Sequence, residues 1–208
     1  SVLVTGVQTC ALPIYELLTV DILKQLSEFV DFRQDKRAFS DIRLVFESTF
    51  LGFKLANIER VRTLNLLAKK NKVALYTDEQ DTSLINVDFK GTVDYMNDMP
   101  KVFNNSSINL NMTIRNIRTG IPLRVWDILG AGGFLLTNYQ IELTDYFKNE
   151  ESIVYYEDMY DCCKKAEYYL LHEDKRRQIA AKGHELVSKK HSYINRVKYI
   201  LDVIGKMS

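Results

Sequence analysis

Arg124 and Asp127 have the residue types and the spacing to act together on a ligand. They lie three residues apart in a helical stretch that starts at Pro122, so they share one face of the helix. A guanidinium near the positive start of a helix suits a phosphate, and a carboxylate accepts hydrogen bonds from sugar hydroxyls. Alternatively, the two side chains pair with each other at the surface. Spacing alone leaves both interpretations open.

A glycine-rich turn follows this helix. Gly130, Gly132 and Gly133 give the backbone freedom that a helix exit needs, and the apolar run 134–137 is typical of a buried parallel strand. We expect Gly132 and Gly133 to let the backbone approach a ligand closely. The order helix, glycine turn, strand is the reverse of a dinucleotide-binding fingerprint, so an NAD site is rejected.

Further polar residues lie at or near the ends of predicted strands. In an open parallel sheet, ligands collect beyond the carboxyl ends of the strands. Asparagine there can donate and accept hydrogen bonds toward a ligand, although it also satisfies nearby backbone groups, and many such loops are merely solvated. The residues expected to line this crevice are Thr77, Asp78, Asn109, Asn111, Thr137 and Asn138.

Hydrophobic patterning predicts the elements that position these residues. It predicts an α/β fold with a parallel sheet, preceded by a helical segment. Strands are predicted at 72–77, 91–95, 107–112, 134–137 and 153–156. Helices are predicted at 16–30, 41–70, 96–105, 122–129, 142–147 and through most of the remainder. Gly52 is expected to break the second of these helices and Pro100 to interrupt the third.

Composition narrows the class of protein. With 46% hydrophobic and 26% charged residues, the 208-residue chain is typical of globular proteins, and its net charge of +1 argues against a nucleic-acid partner. No apolar run approaches the roughly 20 residues of a membrane span. Three cysteines, two of them adjacent at Cys162 and Cys163, make no disulfide framework, so we expect a cytoplasmic protein.

Signatures of catalysis and metal binding are missing from the sequence. The acidic residues form no Asp-x-Asp pair and the cysteines no C-x-x-C motif, so neither a metal nor another cofactor is expected. The three histidines lie late in the chain, outside the expected crevice, which leaves the catalytic residues unknown.

The late helical region carries a local positive charge. Residues 164–198 contain ten Lys or Arg against four Asp or Glu. A solvated face is the simpler interpretation, and a peripheral contact with an anionic membrane is the alternative.

The first 14 residues differ from the rest. They contain no charged side chain and lack the basic start of a signal peptide, and the segment 4–14 resembles a translated sequencing-library adapter. We therefore expect residues 1–14 to lie outside the fold, residues 15–70 to be a helical remainder of an N-terminal part or a connector, and residues 71–208 to form the ligand-binding domain.

Several blocks in a fixed order resemble the C-terminal half of the CgeB-like spore-maturation glycosyltransferases. They are V-A-L-Y-T, G-T-V-D-Y-x-x-x-M-P, I-N-L-N, G-I-P-L-R-V-W-D-I-L-G-A-G-G-F-L-L-T-N-Y-Q, Y-Y-L-x-H-E and I-A-x-x-G, within residues 61–197. The resemblance implies a GT-B fold, in which two Rossmann-like halves face a cleft and the C-terminal half holds a nucleotide-sugar donor. The missing N-terminal domain would then bind a glycan or protein acceptor, and the last helix, 193–204, would cross back toward it.

The same resemblance assigns roles to individual residues. Asp127 is similar in position to the second glutamate of an E-x7-E motif, which contacts the donor ribose. The chain departs from the pattern at Thr119, which stands near the first glutamate, at Ser107, where relatives often carry lysine, and at Asp78 and Glu79, where a basic pair often holds the diphosphate.

Two hypotheses of function follow from the sequence. The first is that the intact protein transfers a sugar from a nucleotide diphosphate donor to a cell- or spore-surface acceptor, with this chain alone inactive. The second is a non-catalytic Rossmann-like module for nucleotide binding or protein contact, which the departures from the family pattern favour.

Overall fold

A computed structural model describes residues 2–5, 25–31, 45–114 and 119–207. Its centre is a parallel sheet whose described strands are β1 (Val2–Thr5), β2 (Val73–Tyr76), β3 (Val87–Gly91), β4 (Ile108–Asn111), β5 (Leu135–Asn138) and β6 (Val154–Tyr156). Their spatial order is β3-β2-β1-β4-β5-β6. The predicted α/β fold with a parallel sheet is confirmed.

The strand order reverses direction between β1 and β4. The chain steps outward from β1 through β2 to β3, returns to β4 on the other side of β1, and then steps outward through β5 to β6. Such a reversal is a topological switch point, and it opens a crevice beyond the carboxyl ends of the two central strands.

Helices cover both faces of the sheet. The helices are α1 (Gly52–Ala68), which continues a π-helical turn at Phe46–Leu51, α2 (Met99–Asn105), α3 (Leu123–Gly130), α4 (Leu143–Tyr146), α5 (Met159–Leu171), α6 (Glu173–Lys190) and α7 (Tyr193–Met207). None of those that the structure describes is both long and apolar enough to cross a membrane.

One hydrophobic core lies between the sheet and the helices α1 and α5. Leu64 and Leu67 of α1 are buried in one cluster with residues of β2 and β4, and Tyr169 of α5 packs on Phe134 with ring centroids 4.9 Å apart. Burying one leucine side chain contributes about 2 kcal/mol to folding, so these contacts hold α1 firmly on the sheet.

A second core fills the opposite face, under α2, α3 and α6. Phe103, Ile128 and Leu135 are almost fully buried there. Helix α6 reaches the end of α3, where Nδ1 of His184 lies 2.9 Å from the carbonyl oxygen of Leu129. This core holds α3, the helix that follows β4 and carries Arg124 and Asp127, in place on the sheet.

Strand β1 differs from the expectation for the first 14 residues. Val2–Thr5 pairs with β2 on one side and β4 on the other, so the expectation that this segment lies outside the fold is wrong for these four residues. The reason is physical: three residues of V-L-V-T, namely Val2, Val4 and Thr5, are β-branched, and such residues favour strands. The adapter-like origin of the segment stays a prediction, and residues 6–14 lie outside the described part of the chain.

The region between β2 and β4 shifts relative to the prediction. The strand predicted at 91–95 lies earlier, at Val87–Gly91, where exposed and half-buried residues alternate as in an edge strand. Pro100 does not interrupt a helix but stands in the first turn of α2, where its missing N–H costs nothing. The other predicted strands overlap β2, β4, β5 and β6.

Two further predictions concern the N-terminal part. Most of the helix predicted at 16–30 lies outside the described residues. The predicted domain boundary at residues 70 and 71 separates α1 from β2, and the structure packs these two elements into one core.

Candidate functional site

Helix α1 overhangs the carboxyl edge of the sheet. It enters β2 through a short turn and therefore runs antiparallel to the strands; its 17 residues span about 25 Å, against about 13 Å for a four-residue strand. The N-terminal half of α1 thus forms one wall of a cleft whose floor is the strand ends. We call this space the switch-point cleft, lined by residues 55–63 of α1 and by the ends of β2, β4, β5 and β6.

Two cavities occupy the switch-point cleft. One has a volume of about 280 Å³ and is lined by the ends of β4, β5 and β6, including Thr113, Asn138 and Tyr156. The other has a volume of about 310 Å³ and is lined by the end of β2, including Thr77. Arg60 lines both, so its side chain lies between them.

Arg60 is a cation in a largely buried position. Its Nε atom is shielded from solvent and has no hydrogen-bond partner among the residues that the structure describes. Burial lowers the pKa of its guanidinium, and the nearby Tyr156 acts in the opposite direction. Arginine keeps its charge at any physiological pH, so the cleft contains a permanent positive charge with an unused N–H donor. This combination favours an anionic ligand.

A hydrogen-bonded network ties the ends of β4 and β5 together. The Nδ2 atom of Asn111 donates to the hydroxyls of Thr113 (3.0 Å) and Thr137 (2.9 Å). The amide of Asn138 pairs with the backbone of Thr113, accepting from its N–H (2.9 Å) and donating to its carbonyl (2.8 Å). The structure thus brings together three predicted residues, Asn111, Thr137 and Asn138, at the expected edge.

Thr77 and Asp78 lie at the end of β2, as predicted. Thr77 lines the second cavity and its hydroxyl donates to a carboxylate oxygen of Asp78 at 3.2 Å. Asp78 itself is exposed and lines neither cavity of the cleft. Only Thr77 of this pair therefore faces the enclosed space.

Arg124 and Asp127 lie on α3, on the other face of the sheet from α1. The guanidinium of Arg124 lies 6.0 Å from the ring centroid of Tyr95 and 5.5 Å from that of Phe103. Its buried Nη1 forms no hydrogen bond with any described residue. Asp127 accepts a hydrogen bond of 2.6 Å from the hydroxyl of Tyr95. In the described part of the chain the two form no ion pair with each other, so the alternative of a simple surface pair is wrong.

The hydroxyl of Tyr95 remains protonated over a wide pH range. Burial, the hydrogen bond to Asp127 and the charge of that carboxylate raise the pKa of Tyr95 to about 12, while the nearby Arg124 acts in the opposite direction. Tyr95 is therefore a hydrogen-bond donor to Asp127 at any pH at which the chain would act.

Gly132, Gly133 and Asn109 lie at the opposite edge of the sheet, so their assignment to the crevice is wrong. The two glycines precede β5, and Gly132 has a φ of +78°. A Cβ at Gly133 would lie 2.5 Å from Nδ2 of Asn109 and 2.8 Å from the carbonyl oxygen of Phe103. Asn109 is fully buried and donates to the carbonyls of Phe103 (2.9 Å) and Phe134 (3.2 Å). These residues allow close packing of α2 on the sheet.

Sequence reasoning missed Arg60, Tyr95 and Thr113. A signal for Arg60 was available: it stands at the i position of an i, i+4, i+7 series completed by the buried Leu64 and Leu67. A charged residue in an apolar helical stripe is costly to bury and so indicates a function. Tyr95 and Thr113 had no such signal, because their roles depend on contacts with residues about 25 to 32 positions away.

The sequence profile of a family described as "Glycosyl transferase-like" matches residues 57–202, which is more than half of the chain. The chain belongs to the glycosyl transferase-like family. The matched range begins within α1, ahead of Arg60, and includes most of the α1 wall of the switch-point cleft and the strand ends that form its floor. The family match thus supports treating α1 as part of the same unit as the sheet.

Several solved structures share the fold. The C-terminal domain of the group 1 glycosyl transferase LpcC from Francisella tularensis superposes with a TM-score of 0.53 at 13% identity, over 66% of this chain and 80% of that domain. HepE from Anabaena, solved with UDP, gives a TM-score of 0.60 at 9% identity, over 71% of this chain and 45% of that one. The T4 phage enzyme BGT, solved with its substrate UDP-glucose, gives 0.51 at 12% identity, over 64% and 42%.

These similarities establish the architecture. The chain matches less than half the length of HepE and of BGT, and most of the separate C-terminal domain of LpcC. No curated protein sequence matches the chain. The fold is therefore that of the C-terminal domain of a GT-B glycosyltransferase.

Proposed function

We propose that this chain is the donor-binding half of a glycosyltransferase and that it binds a nucleotide diphosphate sugar across the carboxyl edge of the sheet, from the switch-point cleft to the start of α3. Arg60 offsets the negative charge of the diphosphate. Asp127 accepts a hydrogen bond from a ribose hydroxyl, and Arg124 adds positive charge at the start of α3. Thr77, Asn138 and the network of Asn111 and Thr137 shape the floor of the cleft, with no metal ion required.

The observation that carries this proposal is the unused donor of Arg60. A buried N–H without a hydrogen-bond partner costs about 1–3 kcal/mol of folding free energy. Such a group is therefore expected where a bound ligand supplies the missing acceptor. An oxygen of a diphosphate is a suitable acceptor, because guanidinium and phosphate form charge-assisted hydrogen bonds. The neighbours HepE and BGT were solved with UDP or UDP-glucose, which supports a uridine nucleotide as the first candidate.

The finer parts of the proposal concern the whole protein. Its resemblance to the CgeB-like group supports transfer to a glycan or protein acceptor at the cell or spore surface, by a cytoplasmic protein that contacts the membrane at most peripherally. An N-terminal domain would supply the acceptor site, so this chain alone is expected to have no transferase activity.

The test is thermal stabilisation of the 208-residue chain by UDP, GDP and ADP and by their sugar conjugates. A ligand that binds only the folded state raises its melting temperature. A concentration-dependent shift with one base and not the others would support the proposal and identify the base. No shift at millimolar ligand, from a chain with a cooperative melting transition, would contradict it.

Replacing Arg60 by methionine should change binding and stability in opposite directions. Affinity for the nucleotide diphosphate is expected to fall by about 10- to 100-fold, because one charge-assisted contact contributes about 1.5–3 kcal/mol. The melting temperature of the ligand-free chain should stay the same or rise, because methionine removes an uncompensated buried cation. Calorimetric titration and thermal melting measure the two effects.

Arg177 provides the matched control for that substitution. It is an exposed arginine of α6 that pairs with Glu173 four residues away. Arg177→Met should leave both the affinity and the melting temperature nearly unchanged. Equal affinity in the Arg60→Met and parent chains would contradict the role given to Arg60.

Turnover separates a transferase from a module that only binds nucleotides. The measurement is transfer or hydrolysis of the identified nucleotide sugar by the protein joined to an N-terminal acceptor domain. Nucleotide binding without either reaction would favour the non-catalytic hypothesis.

A further inference from the structure

Tyr95 is fixed at three points in the loop between β3 and α2. Its backbone lies in a turn closed by Asp94, whose side chain accepts from the N–H groups of Met96 (3.1 Å) and Asn97 (2.7 Å). The guanidinium of Arg124 lies over its ring, 6.0 Å from the centroid, and its hydroxyl donates to Asp127. A side chain about half exposed would ordinarily sample several rotamers, so this fixation indicates a role.

The hydrogen bond leaves one side of the Asp127 carboxylate available. Tyr95 bonds to Oδ2, and Oδ1 accepts no hydrogen bond from the described residues. A carboxylate has about four acceptor sites, so a ligand hydroxyl can bind while Tyr95 stays in place. With one oxygen held at 2.6 Å, the carboxylate cannot rotate freely, and the direction of its remaining acceptor sites is set before a ligand arrives.

We propose that Tyr95 is a positioning residue that orients Asp127 toward a ribose hydroxyl and thereby makes the site prefer ribonucleotides over deoxyribonucleotides. This role rests on the proposed function, because it assumes that a nucleotide binds beside α3. Tyr95 acts through Asp127 and supplies no contact to the reacting atoms.

The preference follows from the way in which a carboxylate recognises a hydroxyl. A ribose hydroxyl donates a hydrogen bond to Oδ1 of Asp127, whose orientation is already fixed. A deoxyribose lacks this donor and leaves the half-buried oxygen unpaired. Without the phenol hydroxyl, the carboxylate turns among several orientations, and part of the binding energy is lost in fixing it. The deoxynucleotide never uses this contact, so its affinity should not depend on Tyr95.

The test compares Tyr95→Phe with the parent chain, using the nucleoside diphosphate that stabilises the parent and its 2′-deoxy and 3′-deoxy analogues. Calorimetric titration should show about tenfold weaker binding of the ribonucleotide by Tyr95→Phe. At least one deoxy analogue should bind both chains within about twofold, so the preference for ribose shrinks. A merely structural role would weaken all three ligands equally.

Two additional variants keep the test decisive. Tyr139→Phe is the matched control, since Tyr139 is similarly exposed, lies against Tyr155 and uses its hydroxyl for no described hydrogen bond. Asp127→Asn should reduce the ribose preference in the same way, and the double variant should lose no more than either single one, as for residues that act as a unit.

The outcomes separate this role from the function on which it rests. A parent chain that binds no nucleotide overturns the proposed function, and with it the role of Tyr95. A parent that prefers ribonucleotides, together with a Tyr95→Phe chain that keeps the full preference, overturns the positioning role alone.

Discussion

Replacing Gly183 by alanine will destabilise the chain by about 3 kcal/mol, although alanine is the better helix former. Gly183 lies buried in the middle of α6. A Cβ at this position would overlap the carbonyl oxygen of Ser152 and would lie 2.8 Å from a methyl group of Leu129. The steric cost outweighs the roughly 1 kcal/mol that alanine gains in an exposed helix interior.

The neighbours of Gly183 cannot move aside easily. Ser152 lies in a tight turn in which its N–H donates to the carbonyl of Lys148 (3.0 Å) and its hydroxyl accepts from the N–H of that residue (3.1 Å). Leu129 is fully buried in the core under α3. Relief therefore requires α6 to shift away from both, which opens the packing around Val187 and the contact of His184 with α3.

Gly205→Ala is the control, because Gly205 also lies inside a helix but a Cβ there would meet no atom of the described residues within 4 Å. We expect it to stabilise the chain by about 0.5–1 kcal/mol. Urea denaturation followed by circular dichroism measures both variants. A Gly183→Ala chain as stable as the parent would show that α6 packs less closely on α3 than the structure indicates.

Replacing Asn109 by aspartate should destabilise the chain still more, by about 4 kcal/mol at neutral pH. The amide of Asn109 donates to two carbonyl oxygens in a fully buried position, and aspartate would face both with a charged acceptor. Losing the donor leaves carbonyls unpaired, and burying an unpaired carboxylate costs more again. If Asn109 were instead a ligand contact that faces solvent, the substitution would change the stability of the chain little.

The pH dependence of Asn109→Asp gives a second readout. Burial would raise the pKa of the new carboxyl above its unfolded value of about 3.9, so the folded state binds a proton over a range where the unfolded state does not. Stability relative to the parent should therefore improve as the pH falls from 7 toward 4 and fall as the pH rises through the raised pKa. Urea melts at both pH values measure this change.

Asn109→Ala is the matched control for the charge. It removes the donor without adding a carboxylate, so it should cost about 2 kcal/mol with no added pH dependence between 4 and 7. Equal losses for the two variants at every pH would show that the position is accessible to water, contrary to its burial.

The elements that carry strong local patterns could be predicted from the sequence. The runs that became β2, β4, β5 and β6 are apolar and short, and α3 has Pro122 before it and glycines after it, so each signal was local. Strand β1 was not predicted because its segment resembled foreign sequence, and β3 was misplaced because an edge strand buries only alternate residues. In both cases the position of the strand depends on its pairing with neighbouring strands, which a local sequence pattern does not show.

The candidate site was predicted in part. Asn111, Thr137 and Asn138 follow from the rule that ligands gather beyond strand ends, and they lie together at that edge. Asn109 is only two residues from Asn111, but it lies nearer the other edge and serves the core. Arg60 reaches the cleft only because α1 extends beyond the carboxyl edge of the sheet. Sequence spacing does not predict how far a helix extends beyond the sheet on which it packs.

The side chain of Asn138 extends the hydrogen-bonding pattern between β4 and β5 by one further pair of bonds, made with the backbone of Thr113. The amide group of the side chain copies a peptide unit, with one donor and one acceptor spaced like those of a neighbouring strand. The chain can thus turn out of β4 after Asn111 and still begin its next loop from a fixed point. Aspartate lacks the donor and glutamine is one methylene too long, so among the genetically encoded side chains only asparagine fits this mimicry.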